Sequence, residues 1–318
     1  MKKTPLKYLY IILTICLFIG LFTGCEGFDS DDQKGDDKKT ESQGSGNKSN
    51  NSSKDNSSKV TSKPSYTIKD ETIADTDLCT FRIVEASEDS FWGFALKVYC
   101  ENKSSDKSMM FSLRDVSVNG YMADTIFAKE VAAGKKSNDD VSFYDLEEIG
   151  VTVPEEITFT LCVYDNENWG ADYFVEETHT IYPTGLNKDT VTIPPRKTTA
   201  TEHTIIDNDK VSFIILEAGT DDIWGYTLYC YLENKTDKAL MFSWNDVSVN
   251  GFMIDPYWAD EIAPGKKGYA KISFSDSAFE KNSITNVEDI EATLHIYDSS
   301  SWGSNDVFND KISYNPKQ

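Results

Sequence analysis

Histidine, the usual general base of nucleophilic catalysis, is scarce in this 318-residue chain. The three histidines are His179, His203 and His295, and none accompanies a recognisable nucleophile motif. The sequence contains no P-loop, GxSxG or HExxH motif. It also has no CxxC pair and no Cys/His cluster with metal-ligand spacing. The residue types therefore predict a protein that is not an enzyme and that uses no cofactor and no metal.

Two acidic turns are the places where a hard cation could bind. Tyr164–Asp172 has the sequence YDNENWGAD, and Tyr297–Asp306 has the sequence YDSSSWGSND. Calcium takes about six to eight oxygen ligands from such loops, but neither segment has EF-hand spacing. A calcium-binding surface module is therefore one alternative function, and a solvated turn is the simpler interpretation.

Tryptophan offers a different chemistry, because an exposed ring can stack on a sugar or anchor a protein partner. Trp169 and Trp302 each precede a glycine in the two acidic turns, and Trp258 lies in the segment DPYWAD. These three tryptophans are the candidate ligand-contacting aromatics. Trp-Gly also occurs at Trp92 and Trp224, and the alternative is that the Trp-Gly pairs brace the ends of a β-sandwich.

An internal repeat must position these residues. The segment Phe91–Asp124 matches Ile223–Asp255, and the hexapeptide DVSVNG is identical at 115–120 and 246–251. A repeat of more than about 100 residues is a duplicated domain rather than a solenoid unit. The predicted domains are 67–184 and 202–316, and the predicted linker between them, rich in Pro and Thr, is 185–201.

Each repeat alternates apolar and polar residues with the period of two that β-strands require. The run Phe94–Cys100 has one apolar face in the first repeat. Asn119–Gly120 and Asn250–Gly251 stand between strand-like runs, and Asn-Gly is the strongest short hairpin signal because both residues accept positive φ. Short helical turns are predicted at 144–150 and 276–282. The pattern predicts an all-β chain with two tandem antiparallel β-sandwich domains.

The order of these segments supports a family resemblance. ENK follows an early strand pair, DVSVNG comes next, GKK precedes a strand, and a YD strand ends each copy. This order resembles the Ig-like, telokin-type domains of Gram-positive, especially clostridial, lipoproteins. The resemblance spans both repeats and implies two tandem Ig-like β-sandwiches. It brings no catalytic residues and no assigned activity.

The N-terminal part of the chain predicts export and a tether. Basic residues precede the apolar run Leu9–Phe22, which is too short for a comfortable membrane span. LFTGC at 21–25 resembles the lipobox of bacterial lipoproteins, which implies that the signal peptide 1–24 is removed. It also implies lipid, such as palmitate, on Cys25 and an anchor on the extracytoplasmic face of the cell membrane. Residues 25–66 are mostly Ser, Asn, Lys, Asp and Gly, a composition that predicts a disordered linker.

Two cysteines of the first repeat are candidates for a disulfide. If the first two strands turn between Asp89 and Ser90, Cys79 faces Cys100 across the hairpin, and export permits the bond. The alternative is a pair of free, buried thiols, since the second repeat has apolar residues at both equivalent positions. Alternation also predicts that Cys162 points outward.

The formal net charge is −22. An acidic surface repels phosphate backbones, so we expect no nucleic-acid partner. We expect a membrane-anchored, extracytoplasmic lipoprotein that acts as a non-catalytic binding or sensing module for an envelope protein or a cell-wall carbohydrate. A structural spacer or an accessory subunit of an envelope complex is the alternative, and the sequence leaves the oligomeric state open.

Overall fold

The computed structural model of the protein describes residues 64–90, 93–168, 170–256, 258–301 and 304–316. The predicted signal peptide, Cys25 and nearly all of the predicted 25–66 linker lie outside these ranges, as do Trp169 and Trp302. The described residues are nearly all β, in antiparallel sheets packed as sandwiches, which confirms the predicted fold class.

The strands of the first repeat are β1 (Lys69–Asp75), β2 (Cys79–Ser90), β3 (Gly93–Asn102), β4 (Met109–Val118), β5 (Tyr121–Met122), β6 (Thr125–Ile126), β7 (Ala128–Val131), β8 (Lys136–Phe143), β9 (Ile157–Asp165) and β10 (Val175–Ile181). Those of the second repeat are β11 (His203–Asp207), β12 (Val211–Asp221), β13 (Gly225–Asn234), β14 (Leu240–Val249), β15 (Phe252–Met253), β16 (Ala259–Ile262), β17 (Lys267–Phe274), β18 (Ile290–Asp298) and β19 (Asp306–Tyr314). The second repeat also contains the helix α1 (Asp276–Lys281) and a 3-10 turn at Ser299–Ser301.

Two antiparallel sheets form the first sandwich. One has the order β1-β2-β3-β8-β6, and the other contains β10-β9-β4-β5, with β7 also paired to β4. Phe81 of β2 and Phe111 of β4 stack between the sheets with their ring centroids 6.4 Å apart. Both side chains are buried, and each contributes about 2–3 kcal/mol of hydrophobic stabilisation. The core of the first repeat therefore lies between its own two sheets.

The second sandwich repeats this arrangement. Its sheets are β11-β12-β13-β17 and β15-β14-β18-β19, with β16 also paired to β14. Phe213 of β12 and Trp244 of β14 meet between them at a centroid distance of 5.9 Å. These residues belong to a second core cluster, separate from that of the first repeat.

Strands β5 and β17 join the two sandwiches edge to edge. The Lys267 N–H donates to the Gly120 carbonyl at 3.0 Å, and one parallel bridge pairs Lys267 with Tyr121. One sheet therefore runs through both repeats in the order β10-β9-β4-β5-β17-β13-β12-β11. The ring of Tyr121 stacks on that of Tyr269 across the joint, with centroids 5.6 Å apart and planes at 4°.

The C-terminal part of the predicted linker packs against the second repeat. Arg196 donates two hydrogen bonds to Glu202, at 2.6 and 2.8 Å, and its guanidinium lies 4.5 Å from the ring centre of Tyr231. The two charged side chains are only 11% and 10% exposed. A bidentate pair that is also held on an aromatic face has a defined geometry, so this segment has a fixed path.

The predicted Asn-Gly hairpins are both present. Val118 pairs with Tyr121, and the two residues between them, Asn119 and Gly120, have φ angles of 51° and 79°. Residues 249–252 repeat this geometry in the second sandwich. Asparagine and glycine are the residues that accept this left-handed conformation at least cost, which explains why the motif is identical in the two copies.

One of the two predicted helical turns forms a helix. Helix α1 begins after Ser275, whose hydroxyl accepts a hydrogen bond from the backbone N–H of Ala278 at 3.3 Å. The other, in the first repeat, is a turn closed by the Ile149 N–H on the Asp145 carbonyl at 3.1 Å. Within the described part of the chain, no helix is long and apolar enough to cross a membrane.

The predicted register of the first hairpin is wrong by two residues. Cys79 pairs with Asn102, and Cys100 pairs with Phe81. The strands run on to a closing pair at 90–93 and carry two bulges, which shift every earlier pair. The two thiols are free and buried, not disulfide-bonded. Burial raises the pKa of the Cys100 thiol to about 12.

Cys162 lies outside the core cluster of the first repeat, but it is buried all the same. The residue is only 2% exposed, and the side chains of Ser112 in β4 and Glu176 in β10 flank it on the same face of the sheet. Burial raises the pKa of the Cys162 thiol to about 11, against the opposing effect of the nearby Arg114 guanidinium. Alternation assigns a side chain to one face of a strand, but neighbouring strands decide whether that face reaches water.

Candidate functional site

A cleft of about 850 Å³ lies between the two repeats. The first repeat contributes the segment that follows β5 and the turn that follows β8, and the second contributes residues of β12, β13 and β17 and the region of β16. Its size is within the range of about 300–1,000 Å³ that is usual for small-ligand sites. The cleft exists because the joint between β5 and β17 holds these segments side by side.

Aromatic side chains form much of the cleft wall. They are Tyr144, Trp224, Tyr229, Trp258 and Tyr269. Trp224 and Tyr144 are 64% and 48% exposed. The Asp221 carboxylate accepts hydrogen bonds from the backbone N–H groups of Ile223 and Trp224, at 2.8 and 3.0 Å, and this fixes the turn between β12 and β13. The backbone of the exposed Trp224 is therefore held in place before any ligand arrives.

Trp258 is half-buried and belongs to both the core and the cleft. Its indole N–H donates to Asp260 Oδ2 at 2.7 Å. Its ring centroid lies 5.9 Å from that of Phe213 and 6.1 Å from that of Trp244. The structure thus places this predicted ligand-contacting residue in the cleft wall with its ring already positioned, and ligand contact remains a prediction.

Carboxylates outnumber basic groups in the cleft. The acidic residues that line it are Asp124, Asp145, Glu148, Glu217 and Asp260. Among the described lining residues the basic side chain is Lys271, which donates to Glu148 at 2.7 Å. A cleft with low-dielectric walls and an excess of one charge concentrates its potential toward ions of the opposite sign. The lining therefore attracts cations.

Asp145 is the carboxylate with the most unusual environment. Its Oδ2 accepts a hydrogen bond from the Asp124 N–H at 3.1 Å, while Oδ1 is buried without a hydrogen-bond partner among the described residues. Burial raises the pKa of Asp145 to about 6. Burial also raises the pKa of Asp260, against the opposing hydrogen bond from Trp258. Both carboxylates would gain from a cationic donor.

These groups suit binding better than covalent chemistry. Carboxylates make charge-assisted hydrogen bonds to ammonium and guanidinium groups, and aromatic faces attract the same cations. None of the described residues that line the cleft is a histidine. The Cys230 thiol at its floor is buried, and burial raises its pKa, so the reactive thiolate is disfavoured.

The cleft gathers some predicted residues and adds others. Trp258 lies in it, whereas Trp169, Trp302 and Cys25 fall outside the described residues. For the Trp-Gly pair at Trp224 the sequence left bracing of a sandwich end as the alternative, and the 64% exposure of Trp224 argues against it. The acidic turn beside Trp224 could have predicted its position in a loop, since the Asp221 carboxylate accepts the backbone N–H of Trp224. Tyr229 carried no sequence signal at all.

The acidic turns suggested for calcium serve another role. Asp165 accepts from Lys107 at 2.9 Å, and Asp298 accepts from Lys238 at 2.8 Å. In both turns the other carboxylate oxygen accepts a hydrogen bond from a turn backbone N–H. Among the described residues, no group of three or more His, Cys, Asp or Glu side chains is placed to hold a metal ion. The calcium hypothesis therefore gains no support from this part of the chain.

No protein-family model matches the chain, and no curated protein matches it. Among solved structures, the crystal structure of the YadV chaperone is 9% identical, covers 70% of this chain and 91% of its own, and has a TM-score of 0.18. A protein of unknown function from Porphyromonas gingivalis W83 is 12% identical, with coverages of 70% and 90% and a TM-score of 0.18. Superpositions this poor say nothing about what the chain does.

Proposed function

We propose that this chain is a lipid-anchored, extracytoplasmic binding module without catalytic activity, and that its cleft takes a basic segment of an envelope protein. One observation carries the proposal. Among the described residues, a single cleft combines exposed aromatic rings with five carboxylates and one lysine, which is already paired.

Lysine and arginine side chains match this lining in both of their parts. Their aliphatic stems pack on aromatic surface while their charged heads reach polar groups. The exposed ring of Trp224 offers the surface, and Asp145 Oδ1, which has no hydrogen-bond partner among the described residues, offers an acceptor. Satisfying a buried acceptor recovers about 1–3 kcal/mol, so a cationic head at this position adds affinity.

A cell-wall carbohydrate is the second candidate. Trp224 is 64% exposed and Tyr144 is 48% exposed, and flat aromatic faces of this kind also stack on sugar rings. A neutral glycan leaves the excess of carboxylates unused, so the basic segment ranks first. An amine-bearing glycan uses both features and is the form of carbohydrate that the lining favours.

The tether is the part of the proposal that rests on sequence. LFTGC at 21–25 supports lipid on Cys25, and the composition of 25–66 supports a flexible linker. Replacing Cys25 by serine should abolish incorporation of labelled palmitate in the producing cells and move the chain from the membrane to the soluble fraction. Unchanged membrane retention of Cys25→Ser would refute the lipid anchor.

Capture from an envelope extract tests the binding half of the proposal. The immobilised chain should retain basic proteins that elute as salt is raised, because the attraction is electrostatic. Trp224→Ala should weaken that retention by about tenfold, as expected for an anchoring aromatic. Phe252→Ala is the matched control, since Phe252 is also an exposed aromatic, at 46%, but does not line the cleft.

The outcomes separate the candidates. Retention of glycan fragments that Trp224→Ala abolishes would favour the carbohydrate. No retention of either kind would leave the spacer or accessory-subunit alternative and reject the binding module. Equal loss in Trp224→Ala and Phe252→Ala would show that the cleft is not the site.

A further inference from the structure

The two repeats differ in how one groove at the end of the sandwich is closed. In the first repeat, Tyr66 lies on Phe94 with ring centroids 5.1 Å apart, and its hydroxyl donates to Glu88 at 2.8 Å. The next two residues, Thr67 and Ile68, donate backbone hydrogen bonds to the Pro183 carbonyl, at 2.7 and 3.3 Å. An extended tyrosine-bearing segment of the chain thus occupies much of this groove, and a depression of about 330 Å³ remains beside it.

Among the described residues, no equivalent segment lies in this position in the second repeat. By the register of the repeat, Tyr226 corresponds to Phe94, and Thr198 corresponds to Tyr66. The chain before β11 takes a different path, because Arg196 is bonded to Glu202 and stacked on Tyr231. The tyrosine is therefore absent, and the linker is held elsewhere.

An open groove of about 800 Å³ remains at this place. Its apolar lining includes Ala218, Tyr226, Phe279, Val287 and Tyr314. Ala218 of this groove corresponds to Ala86, which lines the depression beside Tyr66 in the first repeat. Phe279 of α1 covers part of Tyr226 at a centroid distance of 5.9 Å, yet the cavity persists.

The groove also offers backbone hydrogen-bonding groups. Strand β11 pairs with β12 only as far as Ile215, whereas β1 pairs with β2 as far as the equivalent of Glu217. Among the described residues, 217–221 of β12 are therefore paired only on the β13 side. An open strand edge is a template for an added extended peptide. The Tyr226 hydroxyl, in addition, is buried with no hydrogen-bond partner among the described residues.

We propose that this groove binds an extended peptide segment of a partner protein, with a tyrosine or phenylalanine whose ring lies on Tyr226. The first repeat shows the chemistry of the occupant, because residues 64–68 of this chain lie in the equivalent groove there. This segment of the same molecule is already engaged, so the occupant comes from another protein. Glu217, Asp276 and Glu280 also line the groove, which selects a segment with basic residues around the aromatic one.

The site is separate in its key residues from the cleft proposed above. The two share Leu216 and Glu217, but Ala218 and Tyr226 line only the groove, and Trp224 lines only the cleft. Substitutions at Ala218 and at Trp224 can therefore distinguish the two sites.

A synthetic peptide tests the groove directly. The probe is a fluorescent peptide with the sequence of residues 64–70, PSYTIKD, added to the full chain purified in mild detergent, and the readout is fluorescence anisotropy. The peptide should bind saturably, and the peptide with Tyr66→Ala should bind at least about tenfold more weakly. This comparison leaves the protein unchanged, so it does not depend on the folding of a variant.

Two protein variants then locate the site. Ala218→Leu fills the groove and should abolish peptide binding. The matched Ala86→Leu lies beside the segment that already occupies the groove of the first repeat, and it should leave peptide binding unchanged. Trp224→Ala should also leave it intact. Equal binding of the tyrosine and alanine peptides, or unchanged binding to Ala218→Leu, would overturn the proposal. Self-association of the chain that the peptide reverses would overturn the partner assignment in favour of a second copy.

Discussion

Replacing Asn119 by alanine should lower the free energy of unfolding by about 3 kcal/mol. Its Nδ2 donates to the Val153 carbonyl at 2.8 Å, and its Oδ1 accepts from the N–H groups of Glu155 and Glu156 at 2.9 and 3.0 Å. Each such bond contributes about 1 kcal/mol. Alanine at a φ of 51° costs about 1 kcal/mol more. The half-buried position reduces the total from about 4 to about 3 kcal/mol.

Substitution of Asn119 by glycine and by aspartate separates the contribution of the hydrogen bonds from that of the positive φ. Asn119→Gly keeps the positive φ and loses the three hydrogen bonds, so it should cost about 2 kcal/mol, roughly 1 less than alanine. Asn119→Asp keeps the acceptor and the conformational tolerance and should cost about 1 kcal/mol. Urea denaturation followed by tryptophan fluorescence measures all three. Equal costs for glycine and alanine would refute the argument from φ.

The second repeat supplies the control. Asn250 makes the same three bonds, to the Asn286 carbonyl at 2.7 Å and from the N–H groups of Glu288 and Asp289 at 2.8 and 3.1 Å. Asn250→Ala should therefore destabilise the chain by a similar amount. Of the two hairpins, the first is the one at the joint, where the Lys267 N–H donates to the Gly120 carbonyl, so Asn119→Ala but not Asn250→Ala should also weaken the joint and separate the unfolding of the two repeats into distinct transitions. A single shared transition in both variants would contradict this role of the joint.

Three further expectations concern charge and burial. Asp145→Asn should raise the free energy of unfolding at pH 7 by about 1 kcal/mol, allowing for the partial exposure of the carboxylate, and leave it unchanged near pH 4. Burial raises the pKa of Asp145 to about 6, so the folded chain holds the proton longer than the unfolded chain and wild-type stability falls as pH rises from about 4 to 6; equal effects at both pH values in urea titrations would contradict it. Arg196→Lys should cost about 1–2 kcal/mol in the same assay, because lysine loses the bidentate contact with Glu202 and the stacking on Tyr231, and an unchanged midpoint would show that the linker is not fastened there. The four described cysteines are free and buried, so a thiol reagent should label them only after unfolding; rapid labelling of the folded chain would refute the burial.

Local sequence determined the parts of the fold that depend on neighbours in the chain. Period-two alternation predicts the strands because successive side chains point to opposite faces. Asn119 and Gly120 predict the hairpin because few other residue types accept positive φ. The repeat predicts two cores because each copy carries its own apolar faces, and the structure has one core cluster in each.

The sequence could not predict where bulges lie or where strands end. Two bulges in the first hairpin shift its register, so that Cys79 pairs with Asn102 rather than with Cys100. The position of a bulge is set by packing over the whole strand. The exposure of Trp224 likewise depends on what surrounds the turn that carries it.

The cleft and the open groove were decided only by tertiary structure. The cleft joins residues near 124–150 to residues near 216–271, and contacts between the repeats, including the parallel bridge of Lys267 with Tyr121 and the Lys271–Glu148 ion pair, set how they meet. The groove lies beside Tyr226, whereas Arg196 of the linker is held on Tyr231. Each rests on contacts between residues far apart in sequence. The loop-closure entropy that such contacts cost is compensated only when the whole chain folds, so no local pattern encodes them.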